Sequence, residues 1–260
     1  MERWSVGAHV SRSDRAGRSL SGRHYLTPRV AAELVRDFAI RPDELVVEIG
    51  AGTGRLTREL AKTGATVLAI ELDEAPATHV LRSARAWRNV YVRQDDALEV
   101  TLPGTPFRAV GNIPFGITTD LLRRVIQGSA AERLDLIVQR EVARKRAAGR
   151  GNVLAVLWAV SWRLEVRRTI AARSFHPAPG VNAAWLAGTR RAVPLVEPDE
   201  AAAFERFVRA AFRRANAPVS RATGLSRRRL IAAAVDPGSR ILDLPVERWV
   251  AAFRAARRAP

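Results

Sequence analysis

The chain contains no cysteine, so disulfides, zinc–thiolate centres and cysteine nucleophiles are excluded. No apolar run approaches the roughly 18 residues that a membrane-spanning helix needs, so no membrane partner is expected. The basic N-terminus lacks the apolar stretch of a secretory signal, and a cytoplasmic location follows as an expectation. Lysine is almost missing: Lys62 and Lys145 are the only two among 43 basic residues. Acids are scarce too, 26 in all, which leaves a formal net charge of +17. Drift towards a GC-rich genome explains arginine over lysine, but not so many bases for so few acids. Guanidinium forks fit phosphate oxygens and stack on bases, so the composition points to a polyanionic partner, foremost nucleic acid.

A chain of 260 residues makes one large domain, or one domain and a small appendage. Residues 1–20 show no apolar period and read as a basic, flexible arm. "TPRVAAELVRDFAI" offers Thr27 as an N-cap and Pro28 at the first helical position. The runs "LVVEIG", "ATVLAIELD", "NVYV", "FRAVGNIP" and "LDLIVQ" then alternate with helical periods, which predicts a parallel, doubly wound sheet. "WRLEVRRTIAA" and "AAWLAGTRR", on either side of the loop "RSFHPAPGVN", add an antiparallel edge hairpin and bring the sheet to seven strands. Residues 140–160 read as helical. After residue 192 three amphipathic, arginine-rich stretches predict a small all-α module. The expected division is an arm at 1–20, a catalytic domain at 21–192 and a basic helical domain at 193–260.

"EIGAGTG" sets Gly50, Gly52 and Gly54 at every second position after a strand. Such a turn lets backbone approach a ligand closely, and the helix behind it offers amides. The spacing differs from the dinucleotide fingerprint and favours a nucleoside ligand without a pyrophosphate. Glu71 ends the next strand, where an acid accepts from ribose hydroxyls. Asp96 ends the third strand, placed to accept from an adenine amine; spacing alone does not separate it from Asp95. Asp73 reads better than Glu71 as a mere helix cap. In "GNIPF", Asn112 and Phe115 need a reason beyond the turn that Pro114 and Gly116 would make, although each alone suits a turn former or a core residue.

Together the Gly50–Gly54 turn, Glu71, Asp96 and "GNIPF" resemble methyltransferases that use S-adenosylmethionine to modify the exocyclic amine of adenine. "NIPF" with "SFHPAP" is similar to the Erm branch of the rRNA adenine dimethyltransferase family. "GRHYL" resembles that family's "GQNFL", and "QREVARKRAAG" resembles the helix after its fifth strand. The resemblance implies a Rossmann-like class I methyltransferase fold, with 23S rRNA as partner, as free or precursor RNA, and a monomeric enzyme. It implies macrolide–lincosamide–streptogramin resistance. For the cofactor it implies His24, Leu26, Gly50, Ala51, Gly52, Gly54, Glu71, Leu72, Asp96, Ala97 and Asn112. For catalysis it implies Asn112, Ile113, Pro114 and Phe115, with Phe175 stacking on the second face of the base. Three positions depart from the family: Arg23-His24 stands for Gln-Asn, Phe115 for a more usual tyrosine, and "GVNA" for "KVDS". No metal is expected.

An adenine amine is a poor nucleophile because its lone pair is delocalised into the ring. The Asn112 side-chain oxygen and the Ile113 carbonyl suit its two N–H bonds, and Pro114 fixes the turn that makes them converge. Phe115 suits stacking on an extruded base. Arg18, Arg23, Arg140, Arg144, Lys145, Arg146, Arg213, Arg214 and Arg228 are the RNA-contact candidates. The rival readings are a small-subunit rRNA dimethylase, which more typically carries "NLPY", and a non-catalytic nucleic-acid-binding factor on the same fold. A DNA adenine methylase, usually "NPPY" or "DPPY", fits less well.

Overall fold

Runs of Val, Ile and Leu favour pleated, buried strands, and the helical runs between them each present one apolar face. The computed structural model describes residues 24–257. The elements run β1 (Tyr25–Leu26), α1 (Pro28–Phe38), β2 (Leu45–Ile49), α2 (Arg55–Ala61), β3 (Thr66–Glu71), α3 (Glu74–Ala84) and β4 (Val90–Gln94). They continue with β5 (Phe107–Asn112), α4 (Thr118–Gly128), β6 (Ala131–Gln139), α5 (Arg140–Ala147) and α6 (Val153–Ser161). Then come β7 (Trp162–Ile170), β8 (Phe175–His176) and β9 (Ala183–Arg190). The last helices are α7 (Ala201–Phe212), α8 (Val219–Thr223), α9 (Arg227–Ala232) and α10 (Val246–Arg257).

Seven strands form one mixed sheet in the order β4-β3-β2-β5-β6-β9-β7. The five from β4 to β6 are mutually parallel, and β9 lies between β6 and β7, which makes β7 and β9 neighbours at the edge. The order runs one way from β2 through β3 to β4 and the other way from β5 to β6. The switch point therefore lies between β2 and β5, where the carboxyl ends of strands leave a crevice. That places the glycine turn after β2 beside the Asn112 end of β5.

In the first unit, which holds the described residues up to Arg140 and Arg167–Ala187, α1 buries Ala31, Leu34, Val35 and Phe38 at helical spacing. Thr27 stands at its N-cap with Pro28 behind it, but the Thr27 side chain makes no capping bond. The pair β1–β8 is a small antiparallel sheet, registered Tyr25↔His176 and Leu26↔Phe175. It replaces part of what reads from the sequence as the loop 173–182. Two-residue strands carry no period for a sequence to display.

The second unit takes in Glu141–Val166 together with the described residues from Gly188 on. Its core gathers Val156 and Val160 of α6 with Phe204, Val208, Leu230 and Trp249 of the later helices. Phe204 meets Phe253 edge-to-face at 5.3 Å, and Phe212 stacks on Trp249 at 5.4 Å. Four helices follow β9 where the sequence suggests three. The additional one, α8, has five residues between Pro218 and Gly224, too few to show a helical period. No described helix is long and apolar enough to cross a membrane.

Candidate active site

The backbone at the switch point is shaped by glycines. Gly50 and Gly54 both have φ of +74° and Gly52 has +55°, the left-handed region that side chains disfavour. A Cβ on Gly52 would come within 2.9 Å of the Tyr25 ring. The amides of the turn are already engaged. Gly50 N donates to Ile70 O at 2.8 Å, Gly52 N to Glu71 Oε2 at 2.7 Å, and Gly54 N to Ala51 O at 2.9 Å. The turn itself thus supplies a path and a space rather than donors.

Glu71 is buried at the end of β3, and its other oxygen accepts from Asp73 N at 3.1 Å. These two bonds fix the carboxylate. Asp73 occupies the N-cap position of α3 but makes no side-chain cap bond. The two neighbouring acids after β4 are separated by their partners. Asp95 pairs with Arg93 at 2.9 Å and accepts from Asp96 N at 2.8 Å. The Asp96 carboxylate accepts from Leu98 N at 2.8 Å and pairs with no described cation.

Asn112 ends β5. Its predecessor Gly111 is a position where a Cβ would lie 2.4 Å from Ile49 O, so β5 and β2 approach as closely as they do only with glycine there. Asn112 Nδ2 donates to His24 O at 2.6 Å. Ile113 N is held by Ile137 O at 2.9 Å, and Pro114 O accepts from Ile117 N at 3.2 Å and from the Thr118 hydroxyl at 3.3 Å. Phe115 is half-buried, its ring 6.0 Å from that of His24.

A cavity of about 150 Å³ gathers most of the sequence-predicted site. His24, Gly50 and Gly52 line it with Glu71, Leu72, Asp96 and Ala97; Asn112, Ile113, Pro114, Phe115 and Phe175 complete the predicted set. Leu26, Ala51 and Gly54 stand behind the lining. Leu26 and Ala51 are buried, and Gly54 closes the turn. Phe175, the first residue of β8, lines the cavity while only 4% exposed and packs into the core. Sequence reasoning missed Tyr25, Gly111 and Arg55. The glycine inside a strand was the one visible signal. Arg55 donates to the carbonyls of Tyr25 and Leu26, pinning β1 to α2.

Beneath the turn, Glu48 is 1% exposed, and among the described residues neither of its oxygens nor the Thr57 hydroxyl has a well-formed hydrogen bond. Burial pushes the Glu48 carboxyl up to about 7; Thr57 offsets this only in part, and the Glu71 charge adds to the rise.

The arginine candidates are scattered. Arg144, Lys145, Arg213 and Arg228 are exposed, Arg214 is exposed and reaches Arg221 O at 3.1 Å, and Arg140 is half-buried at the start of α5. Arg146 donates to Asn152 Oδ1 at 2.9 Å and lies 5.3 Å over the Trp158 ring, tying α5 to α6. Arg18, Arg23 and the arm at 1–20 lie outside the described residues. No cluster of metal-ligating side chains occurs among the described residues.

Comparison with known proteins bears on the same surface. The model of the ribosomal RNA adenine dimethylase family matches residues 15–257. The chain is 37% identical over 193 residues to an rRNA methyltransferase of Streptomyces thermotolerans, covering 72% of this chain and 64% of that relative's length. It is 36% identical over 253 residues to the ribosomal RNA small subunit methyltransferase A of Myxococcus xanthus, covering 90% of this chain and 89% of the relative. Among solved structures it is similar to the 23S rRNA methyltransferase ErmE, with a TM-score of 0.81 and 29% identity over 90% of this chain and 100% of that one. With its Asn-Ile-Pro-Phe turn beside the glycine turn and a family match through nearly its whole length, the chain belongs to the ribosomal RNA adenine dimethylase family.

Proposed function

We propose that the protein methylates the exocyclic amine of an adenine in 23S rRNA and thereby confers macrolide–lincosamide–streptogramin resistance. The observation that carries this is the convergence of Asn112, Phe115, Glu71 and Asp96 on one cavity at the switch point. The residues present suit S-adenosylmethionine. The glycine turn packs tightly against Tyr25, as no side chain would allow, and the fixed Glu71 carboxylate would accept from the ribose hydroxyls. Asp96, less committed than Asp95, suits the cofactor's adenine amine; Leu72 and Ala97 give an apolar wall. His24 would meet the methionine end, with the buried Leu26 as its support. When bound, the cofactor supplies an electrophilic methyl group.

The chain's own residues do the rest. Asn112 Oδ1 and the Ile113 carbonyl accept the two N–H bonds of the target amine, which draws its nitrogen towards tetrahedral geometry and frees the lone pair. Phe115 holds the extruded base by stacking, and Phe175 bounds it on the other side. Aromatic faces also favour the positive charge that develops on the amine. No strong base is required, because the amine proton becomes acidic as the new bond forms. Positioning and electrostatics supply the rate.

The partner is free or precursor 23S rRNA, met by a monomer in the cytoplasm. The arm, with Arg18 and Arg23, the exposed bases of α5 and the C-terminal helices with Arg213, Arg214 and Arg228 bind its phosphates, so affinity falls steeply with salt. Functionally, 21–192 is the catalytic domain and 193–260 the RNA-binding module. "NIPF" favours 23S rRNA over the small subunit. Mass spectrometry of both rRNAs, from a susceptible host with and without the protein, tests this. Methylated adenine in 23S rRNA with macrolide resistance is expected; modification of small-subunit rRNA alone would overturn the assignment.

A further inference from the structure

His24 stands where the family pattern carries asparagine, and its surroundings show a use for the imidazole beyond cofactor contact. Its Nδ1 lies 2.8 Å from the Pro177 carbonyl. A carbonyl only accepts, so Nδ1 carries the proton and donates; this holds in the neutral and the charged form alike. Pro177 follows Phe175 by two residues. The same segment is held by the β1–β8 register, Leu26↔Phe175, and by Thr27 N, which donates to Ser174 O at 2.8 Å. Meanwhile the His24 main-chain carbonyl accepts from Asn112 Nδ2 at 2.6 Å. That bond turns the Asn112 amide so that Oδ1 is its remaining acceptor, and Oδ1 takes no proton from any described residue. The imidazole also sits 6.0 Å from the Phe115 ring, tilted by 38°.

One residue thus touches all three parts that must be in register on the base: the amine acceptor, the stacking ring and the segment carrying Phe175. We propose that His24 is a positioning residue for methyl transfer, latching the Phe175 segment through Pro177 while its backbone orients Asn112. This rests on the reading of the site as an adenine methyltransferase. The latch needs a donor at the δ position: an asparagine amide nitrogen sits close to where an imidazole Nδ1 sits and can make the same bond, whereas glutamine carries its donor one bond too far.

Three variants, His24→Ala, His24→Asn and His24→Gln, are compared in three measurements. Calorimetry gives the S-adenosylmethionine affinity. Single-turnover methylation of an RNA hairpin, at saturating cofactor, gives the transfer rate. Hydrogen exchange at the Thr27 amide reports the Phe175 segment without any reaction. His24→Ala and His24→Gln should lower the transfer rate at saturating cofactor by roughly tenfold or more, a loss beyond whatever cofactor affinity the side chain contributes. His24→Asn should restore the rate. The Thr27 amide should exchange about tenfold faster in the alanine variant, with amides of β2 unchanged as a control for folding. A defect confined to cofactor affinity, or unchanged Thr27 exchange, or an asparagine variant no better than alanine, would each overturn the latch. A wild-type protein that methylates no RNA sinks the proposed function instead, and the exchange result still judges the latch.

Discussion

The two ends of β5 treat polar groups in opposite ways. Near its start, Arg108 is buried and every part of its guanidinium is engaged. Nε donates to Asp135 Oδ2 at 2.6 Å, one terminal nitrogen to Glu44 Oε2 at 3.3 Å, and the other to Phe38 O at 2.5 Å. Trp185 Nε1 supplies Asp135 with a second donor at 2.7 Å. At the other end Asn112 is engaged through its amide nitrogen alone and faces a cavity. A closed network contributes rigidity and uniqueness; an open acceptor costs a little stability and leaves something for a ligand to satisfy. The same strand therefore carries an anchor and a tool, and substitutions at its two ends should fail in different ways.

The largest effect is expected at the closed end. Arg108→Leu leaves Asp135 buried without its cation, where burial already pushes the Asp135 carboxyl up against the pull of Arg108. The loss should be about 3–5 kcal/mol in urea unfolding, with activity per folded molecule retained. Asn112→Ala reverses the pattern. Transfer should fall by about 10²–10³-fold, as for removal of one preorganised polar group from a reacting centre, while the urea midpoint barely moves and cofactor affinity falls only in part. Turnover by Asn112→Ala near the wild-type rate would remove the amine-acceptor role.

This contrast also decides what could be read in advance. The open end was legible because function demands unusual residues in series: a glycine turn, acids at strand ends, and Asn-Ile-Pro-Phe where a plain turn would serve. The closed end was not, since Arg108 and Asp135 look like any two charges until β5 and β6 are registered beside each other. In the same way β1 and β8 become strands only by finding each other, and the seat of Arg146 over Trp158 shows only once α5 and α6 are side by side. The grouping of α5 and α6 with the C-terminal helices depends on which apolar faces meet, and periodicity fixes a face but not its partner.

Glu48 lies between these extremes, buried like Arg108 but without its partners. Its folded-state value of about 7 stands above the ordinary 4.5. Below both values the carboxyl is neutral in either state, and its burial carries no charge penalty. As pH rises from 4.5 towards 7 the unfolded chain ionises while the folded one does not, so stability falls, and it levels off above 7. The full loss is about 3 kcal/mol at roughly 1.4 kcal/mol per pH unit. Glu48→Gln should abolish that slope. Urea midpoints of the two proteins, taken at acid and at mildly alkaline pH, should diverge in favour of the variant as pH rises; parallel profiles would show that Glu48 is ionised in the fold.

The smallest effects sharpen the open end. Phe115 stands where the family more often has tyrosine, and its half-buried ring packs against the core as well as facing the cavity. If the ring acts by stacking alone, Phe115→Tyr should leave the RNA KM and kcat within about twofold, because the stacking face is unchanged. Phe115→Leu keeps most of the apolar volume but removes the face, so it should cost about 1–3 kcal/mol in transition-state stabilisation, the usual worth of a base–aromatic stack. Seen in kcat/KM on a short RNA, leucine should be the weaker enzyme and tyrosine nearly wild type. The reverse order would mean that Phe115 serves the core, and that the base is held mainly by Asn112 and the backbone beside it.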